Sequence, residues 1–225
     1  MQQGYFITGT DTNAGKTWAT LALMQAFKNQ HRTVVGMKPV ASGCRVEGGK
    51  LKNDDALLLQ QYASIHIDYD LINPYAYEPP ISPHLAGKNN PVDLAALTSR
   101  FEQLKNLADI VLVEGAGGWY APINDREDIS DLALAFGLPV ILTVAIKLGC
   151  INHAKLTAQA IAIKGLKFAG WIAVRTDADM PYAEANISTL EQALHIPLLG
   201  VLPYLKQPDF SALADFLALN KALIG

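Results

Sequence analysis

Nine residues near the start of the chain form a glycine-containing loop between a predicted strand and a predicted helix. The loop Gly9–Thr17, of sequence GTDTNAGKT, follows the apolar run Tyr5–Ile7 and precedes a helical pattern that begins at Trp18. In such a unit the backbone N–H groups at the helix N-terminus bind phosphate, the lysine reaches its outer oxygens and the threonine hydroxyl can ligate Mg²⁺. The loop therefore predicts a nucleoside-triphosphate site built around Lys16 and Thr17.

The glycine spacing of this loop differs from the usual one. The general pattern has four residues between its glycines, whereas five separate Gly9 from Gly15, so that Thr10 stands where the first glycine is expected. A plain strand-to-helix turn with a coincidental Lys-Thr pair is the alternative. The flanking strand and helix patterns favour the phosphate loop.

Length and composition bound the class of protein. A chain of 225 residues, half of them hydrophobic and only 17% charged, fits one α/β domain over residues 1–225 whose central strands are buried on both faces. The net charge of −3 gives no basic footprint, so we expect no nucleic-acid partner.

The cysteines and the apolar runs bear on the compartment. Cys44 and Cys150 stand in no metal-binding spacing, which predicts free thiols in a reducing cytosol. The chain shows neither a secretory leader pattern nor a run of about 18 apolar residues, so we expect a cytoplasmic protein without a membrane partner.

Short apolar runs alternate with helical patterns along the whole chain. This alternation predicts an α/β fold, a single doubly wound and mostly parallel sheet with helices on both faces. Strands are predicted at 5–9, 33–40, 109–114, 139–145, 168–174 and 198–202. Helices are predicted at 15–29, 54–63, 92–106, 129–136, 152–164, 181–194 and 210–223. Residues 72–91, which contain five prolines, predict a long irregular connection near the site or an interface.

Residues just after the predicted strands are the first candidates for chemistry, because ligands bind beyond the carboxyl ends of parallel strands. Lys38 would point toward the same crevice as Lys16, which suggests an anionic reacting centre, although an ordinary surface lysine is the alternative. Glu114 ends an apolar strand and could complete a Mg²⁺ shell with Thr17. Asp55 opens a helix, where the metal-ligand and N-cap interpretations remain equally open.

Two further positions have a functional and a plain interpretation. Ser42 follows the second predicted strand and could contact substrate or merely cap a turn. The segment Gly149–Asn152 opens a predicted helix, whose exposed N–H groups would suit a substrate carboxylate. Asn152 could also simply cap that helix.

Taken together, these segments resemble the dethiobiotin synthetase family. The resemblance rests on GTDTNAGKT, on KPVASG at 38–43, on Asp55 after Asn53-Asp54, on VEGAGGWYAPI at 113–123 and on KLGCINHA at 147–154 followed by LTAQAI. These motifs occur in the family's order over nearly the whole chain, and the five-residue glycine spacing is the family's own form of the loop. The resemblance implies a homodimeric P-loop ligase that makes the ureido ring of dethiobiotin from 7,8-diaminononanoate, CO₂ and ATP with Mg²⁺.

The resemblance also implies roles for individual residues. Lys16 and Lys38 would be the catalytic lysines, and Thr17, Asp55 and Glu114 would hold Mg²⁺. Nucleotide contacts are implied for Asn13, Ala14, Gly15, Lys16, Thr17, Trp18, Asp55, Glu114, Gly115, Ala116, Gly117, Val174, Arg175, Pro203, Tyr204 and Leu205. Substrate contacts are implied for Thr12, Lys38 and Ser42, and across the dimer interface for Gly149, Cys150, Ile151 and Asn152.

The chain departs from many relatives beside the nucleotide. Val174 stands where they carry an asparagine that contacts the adenine edge, and a valine side chain cannot form a hydrogen bond to a base. One neutral hydrogen bond is worth about 0.5–1.5 kcal/mol net, so triphosphate binding should survive while base selectivity relaxes. Trp18 is bulky where relatives have a small aliphatic residue; it could lie beside the nucleotide, but the core is favoured.

Two other functional classes share this kind of loop. Partitioning ATPases that act as conformational switches usually carry a second lysine inside the loop, and residues 9–14 contain none. Amidotransferases of the cobyric-acid type normally append a glutaminase domain with a nucleophilic cysteine, for which we expect no room in 225 residues. The ligase interpretation is therefore favoured.

Overall fold

The computed structural model describes residues 4–219. Six parallel strands form the central sheet, and two pairs of short strands lie outside it. The strands in chain order are β1 Gly4–Gly9, β2 Val34–Met37, β3 Val40–Ala41, β4 Arg45–Glu47, β5 Lys50–Lys52, β6 Tyr75–Ala76, β7 Ile110–Glu114, β8 Val140–Ala145, β9 Phe168–Val174 and β10 Leu198–Leu202.

Helices link the sheet strands and cover them. Within residues 4–219 they are α1 Lys16–Asn29, α2 Asp54–Tyr62, α3 Tyr69–Ile72, α4 Pro83–Ala86, α5 Leu94–Lys105, α6 Ile129–Phe136, α7 Cys150–Ile163, α8 Ala183–Leu194 and α9 Phe210–Ala214. The strands β1, β2, β7 and β8 are buried along their whole length. Strands buried on both faces read as continuous apolar runs, which is why the sequence pattern identified them.

The sheet order creates a crevice beside β1. The strands lie in the order β10-β9-β8-β1-β7-β2, so β1 is central, with β7 on one side and β8 on the other. The chain moves outward from β1 to β2 and then returns across the sheet to β10. Because parallel crossovers are right-handed, this reversal puts α1 on one face and α5 to α8 on the other. The loops after β1, β7 and β2 consequently meet at one edge.

The predicted α/β fold with a parallel, doubly wound sheet is confirmed, with corrections at several element ends. The strand expected at 33–40 ends at Met37, because the Lys38 N–H donates to the Ile72 carbonyl oxygen at 2.8 Å and leaves the sheet. Val40 and Ala41 instead pair with Tyr75 and Ala76. The connection 72–91 is thus irregular but contains β6 and the helical turn α4.

The last predicted helix is too long. The helix expected at 210–223 ends at Ala214, and residues 220–223 lie outside the described part. Leu217 then forms an antiparallel bridge to Gly200, and the Ala218 N–H donates to the Leu199 carbonyl oxygen at 2.7 Å. A Cβ atom on Gly200 would overlap the carbonyl oxygen of Phe216, so the glycine allows this close approach.

Domain organisation and membrane association were also predicted. The buried apolar residues of all six sheet strands belong to one continuous core, which supports the single domain expected for residues 1–225; that expectation stays a prediction. Among residues 4–219, no helix has the length and apolar character needed to cross a membrane.

Candidate active site

The phosphate loop presents free backbone N–H groups to the crevice. Helix α1 begins at Lys16, and its N-cap residue Gly15 has a φ of 84° and no side chain to cap the first turn. Asn13 also has a positive φ, of 59°. A Cβ atom on Gly15 would come within 2.7 Å of Cγ1 of Val174, so both the backbone conformation and the packing require glycine. The first N–H groups of α1 therefore have no side-chain cap, which is the arrangement that an anion site requires.

Lys16 lies folded over this loop. Its ammonium donates to the carbonyl oxygens of Asp11 at 2.9 Å and Gly117 at 2.7 Å, and the residue is 6% exposed. Burial lowers the pKa of Lys16 to about 8, and the Lys38 ammonium acts in the same direction. The lysine therefore joins the loop after β1 to the loop after β7.

Lys38 lies between two carboxylates. Its ammonium donates to Oδ2 of Asp55 at 2.9 Å and to Oε1 of Glu114 at 2.5 Å. Burial alone would lower the pKa of Lys38, but the two carboxylates raise it above its ordinary value. Burial alone would raise the pKa of Asp55, and the Lys38 ammonium holds it below its ordinary value. Lys38 is thus a buried cation and not the surface lysine of the alternative interpretation.

Glu114 joins this cluster to the phosphate loop. Its Oε1 atom also accepts from the Thr17 hydroxyl at 2.8 Å. Its Oε2 atom is buried and has no hydrogen-bond partner among the described residues. A buried carboxylate oxygen without a partner is costly. The cluster therefore has an unused acceptor beside a threonine hydroxyl.

The N-cap alternative for Asp55 is wrong, because Asn53 caps α2 and accepts from the Ala56 N–H at 3.2 Å. The carboxylate of Asp55 is consequently available to Lys38. Asp54, the preceding residue, forms an ion pair with Arg45 at the base of the β4–β5 hairpin.

Two buried polar residues that sequence reasoning missed hold Lys38 and α2 in place. Asn73 Nδ2 donates to the Lys38 carbonyl oxygen at 2.7 Å, and Asn73 Oδ1 accepts from the Tyr69 hydroxyl at 2.9 Å. The same hydroxyl accepts from the Asn53 N–H at 2.8 Å. This chain of hydrogen bonds connects the backbone that carries Lys38 to the cap of the helix that carries Asp55.

One pocket of about 830 Å³ collects most of the predicted site residues. Thr12 and Ser42 line it together with Lys38, and the buried hydroxyl of Ser42 has no hydrogen-bond partner among residues 4–219, so it does not cap a turn. The predicted residues on the pocket wall are Thr12, Asn13, Gly15, Lys16, Thr17, Trp18, Lys38, Ser42, Asp55, Glu114, Ala116, Gly117, Val174, Arg175, Tyr204 and Leu205. The wall also contains Pro80–Pro83, Asn53 and Thr176, which were not predicted.

Three predicted nucleotide contacts do not line this pocket: Ala14, Gly115 and Pro203. Ala14 is 1% exposed. A Cβ atom on Gly115 would lie 3.1 Å from Cγ2 of Ile129, so the glycine allows the strand end to pack against α6. Ala14 and Gly115 are buried, so they lie behind the pocket wall.

Val174, Trp18 and Arg175 form another part of the pocket wall. Val174 is 3% exposed and packs on Gly15. Trp18 is half-buried; it contacts the ring of Phe210 edge-on at 6.0 Å and packs against the core, and it also lines the pocket, so a position beside the nucleotide stays a prediction. The Arg175 guanidinium forms an ion pair with Glu184 at 3.3 Å.

The segment Gly149–Asn152 lies outside this pocket. Helix α7 begins at Cys150 and its N-cap is Gly149, with a φ of 90°, so the predicted start at 152 and the capping role for Asn152 are wrong. Asn152 instead lines a shallow groove on α7, together with Lys155, Leu156 and Gln159. Within one chain, the structure does not bring this segment to the wall of the pocket.

A parallel α/β sheet with an uncapped glycine loop and a buried loop lysine defines a P-loop nucleoside-triphosphate-binding protein. Among solved structures, a chain of the MinC:MinD cell division protein complex of Aquifex aeolicus has the same fold, with a TM-score of 0.57 and 15% identity over 96% of this chain and 87% of that one. A family model described as "AAA domain" matches residues 3–211.

Curated relatives are much closer in sequence. The ATP-dependent dethiobiotin synthetase BioD of Nitrosospira multiformis is 48% identical over 96% of this chain and 95% of its own length. The enzyme of the same name from Aromatoleum aromaticum is 43% identical over 96% of this chain and 97% of its own length. The chain belongs to the dethiobiotin synthetase family.

Proposed function

We propose that this chain is an ATP-dependent ligase that closes the ureido ring of dethiobiotin from 7,8-diaminononanoate and CO₂, in biotin biosynthesis. The observation that carries the proposal is the convergence of Lys16 and Lys38 on one pocket, beside the uncapped helix N-terminus of the phosphate loop. Two buried ammonium groups at one anion site suit chemistry in which phosphate and carbamate charges meet.

The reaction requires the protein to position the two substrates and to neutralise the phosphate and carbamate charges. CO₂ adds to one amine to give a carbamate, and transfer of the ATP γ-phosphoryl group to a carbamate oxygen makes a mixed carbamic-phosphoric anhydride. The second amine attacks the carbonyl carbon, closes the five-membered ring and expels phosphate. Because both amines belong to one substrate, holding them aligned is worth about 7–11 kcal/mol of barrier.

The geometry supports a division of labour between the two ends of the pocket. The N–H groups of the phosphate loop and Lys16 would bind the triphosphate, with the base toward Trp18, Val174 and Tyr204. Lys38 and the unpartnered Ser42 hydroxyl, at the other end, would bind the carbamate and the diamine with Thr12. A pocket of about 830 Å³ has room for both substrates.

The residues present fit a magnesium ion. Thr17, Asp55 and Glu114 offer oxygen donors only, and Glu114 Oε2 is a buried acceptor without a partner. Mg²⁺ prefers such oxygen ligands and usually binds through one or two carboxylates together with substrate phosphates. The ion would neutralise phosphoryl charge during transfer. We propose these three residues as its protein ligands.

The test of the proposed reaction is product release with each substrate omitted in turn. With ATP, Mg²⁺, bicarbonate and 7,8-diaminononanoate present, we expect ADP, phosphate and dethiobiotin in equal amounts, detected by coupled assay and mass spectrometry. Omission of the diamine should reduce ADP release to background. Equal hydrolysis without the diamine, with nucleotide-dependent dimerisation, would favour a partitioning switch instead.

A homodimer would bring Gly149–Asn152 of one copy to the pocket of another. Within one chain this segment lies outside the pocket, and exposed apolar side chains lie both on α7 and just before it. Leu148 is 93% exposed, Leu156 57% and Ile163 76%. Apolar faces of this kind are typical of subunit interfaces. The uncapped N-terminus of α7 could then receive the substrate carboxylate.

Replacement of Leu156 by arginine tests this assembly. We expect the variant to sediment as a monomer and to lose diamine-dependent turnover while still binding nucleotide, because the phosphate loop is far from the substituted face. Leu107→Arg is the matched control, since Leu107 is 49% exposed but lies at the end of α5. A Leu156→Arg protein that sediments like the unsubstituted protein would exclude α7 as the interface.

A cytoplasmic location is part of the proposal. Both cysteines, Cys44 and Cys150, are buried free thiols, which suits a reducing compartment.

A further inference from the structure

Lys38 holds the place between the two carboxylates that the proposed function assigns to a metal ion. One ammonium nitrogen lies 2.9 Å from Asp55 Oδ2 and 2.5 Å from Glu114 Oε1, so both oxygens already share a cation. The side chains of Lys38 and Glu114 are 6% and 0% exposed, so water screens this contact poorly.

The position of Lys38 between the carboxylates stabilises the folded protein but opposes the binding of a metal ion. The two carboxylates repel each other, and although the Asp55 side chain is 39% exposed, the uncompensated charge of the fully buried Glu114 would be strongly destabilising. Lys38 removes that penalty before any ligand is bound. The same contacts oppose a divalent cation, because the cation must either lie close to an ammonium or displace it.

We propose that Lys38 is an internal competitor of the metal ion: it sets a low affinity for a free divalent cation and is released from Asp55 and Glu114 when the metal arrives with the nucleotide. The inference rests on the proposed metal site. The released ammonium remains in the same pocket, which Lys38 lines together with Ser42. Its charge then becomes available to the carbamate only when the phosphoryl donor is in place.

The net charge of the cluster explains why the metal ion needs the nucleotide in order to bind. Lys16, Lys38, Asp55 and Glu114 carry two positive and two negative charges, so the cluster has no net charge for a free dication. A triphosphate adds negative charge at the loop beside Lys16 and Thr17. The metal ion can then gain phosphate ligands in exchange for the contacts that Lys38 gives up.

Mn²⁺ binding by a Lys38→Met variant without nucleotide tests the proposal, with free Mn²⁺ measured by electron paramagnetic resonance. Methionine keeps the unbranched shape of the side chain, is shorter by one atom, and removes the charge. We expect Mn²⁺ to bind at least about tenfold more tightly than to the unsubstituted protein, since a cation this close changes a carboxylate's proton affinity by about one to three powers of ten. An unchanged or weaker Mn²⁺ affinity would overturn the proposal.

The controls separate specific competition from a general loss of positive charge. Lys147→Met removes an ammonium that lies 3.9 Å from Asp11 in the phosphate loop and is 47% exposed, so Mn²⁺ affinity should change less than about twofold. Adding Asp55→Asn to Lys38→Met should abolish the gain. If Lys147→Met tightens Mn²⁺ binding as much as Lys38→Met, the competition is not at the carboxylates and the proposal fails.

Two further measurements distinguish a change in Mn²⁺ affinity from a loss of folding or of turnover. Thermal unfolding of each variant shows whether it is folded. If the Lys38→Met protein is not folded, Lys38→Gln replaces it in the Mn²⁺ measurement. Because Mn²⁺ binding requires no turnover, a chain that closes no ureido ring could still show the tighter binding. Ring closure together with an unchanged Mn²⁺ affinity would instead leave the proposed function standing and reject the competitor role.

Discussion

A Lys16→Ala variant is expected to lose high-affinity nucleotide binding. The Lys16 ammonium is the buried cation of the phosphate loop, and hydrogen bonds to charged groups are worth about 1.5–3 kcal/mol each. Loss of even one such contact to phosphate should raise the ATP dissociation constant by about ten- to a hundredfold. Isothermal titration with a non-hydrolysable ATP analogue measures this change directly.

The matched control is Lys147→Ala, which removes an exposed lysine beside the same loop. Its effect on nucleotide affinity should stay within about threefold, as for an exposed ion pair. The substitution of Lys16 also leaves the Asp11 and Gly117 carbonyl oxygens without their donor, so thermal unfolding must accompany the titration. A folded Lys16→Ala protein with unchanged affinity would show that the triphosphate binds elsewhere.

A Lys38→Ala variant is expected to separate binding from chemistry. Lys38 lies on the side of the pocket that we propose for the substrate, and it makes none of the contacts that Lys16 makes to the loop carbonyls. Nucleotide affinity should therefore not fall, and with Mg²⁺ present the loss of the competing ammonium should raise it, whereas kcat for dethiobiotin formation should fall about 100- to 1000-fold, as on removal of one preorganised charge donor. Titration and steady-state kinetics on the same preparation distinguish the two effects.

Lys50→Ala serves as the control for Lys38→Ala. Lys50 is an exposed lysine on the β4–β5 hairpin, paired with Asp70 at 2.7 Å, and its removal should leave kcat unchanged within about twofold. Exchanged outcomes, in which Lys38→Ala loses the nucleotide and Lys16→Ala keeps it, would mean that the two lysines have each other's roles.

The sheet could be predicted from the sequence because two patterns indicate its strands. Runs such as Ile110–Val113 and Val140–Leu142 are apolar throughout, as burial on both faces requires, and helical patterns separate them. The end of β2 could not be predicted in this way. It depends on a backbone hydrogen bond from Lys38 to Ile72, a contact that no local pattern encodes.

The β4–β5 hairpin was missed although its turn carries a signal. Gly48 and Gly49 have φ values of 60° and 78°, the two successive positive values that a two-residue hairpin turn requires. The flanking strands are short and exposed, so the apolar periodicity on which strand prediction relies is absent. The Gly48-Gly49 pair therefore indicated a turn, but no apolar pattern indicated the two strands that flank it.

The sequence predicted the charged residues of the candidate site but not the polar residues that hold them in place. Lys16, Lys38, Asp55 and Glu114 were found because charged residues at strand ends or helix starts stand out against apolar runs. Asn73 carries no comparable mark, since an asparagine before a proline is typical of a turn. Its burial and its two partners are set by tertiary packing alone.

The central position of β1 means that the phosphate-loop motif is not a binding unit by itself. A nascent chain that ends before Glu114 contains the complete GTDTNAGKT sequence, but it lacks the carboxylate that accepts from Thr17 and the Gly117 carbonyl oxygen that accepts from Lys16. Strand β8, which flanks β1 on its other side, is synthesised later still. At about 5–20 residues per second, the ribosome therefore completes the motif several seconds before the rest of the chain can give Lys16 and Thr17 their partners.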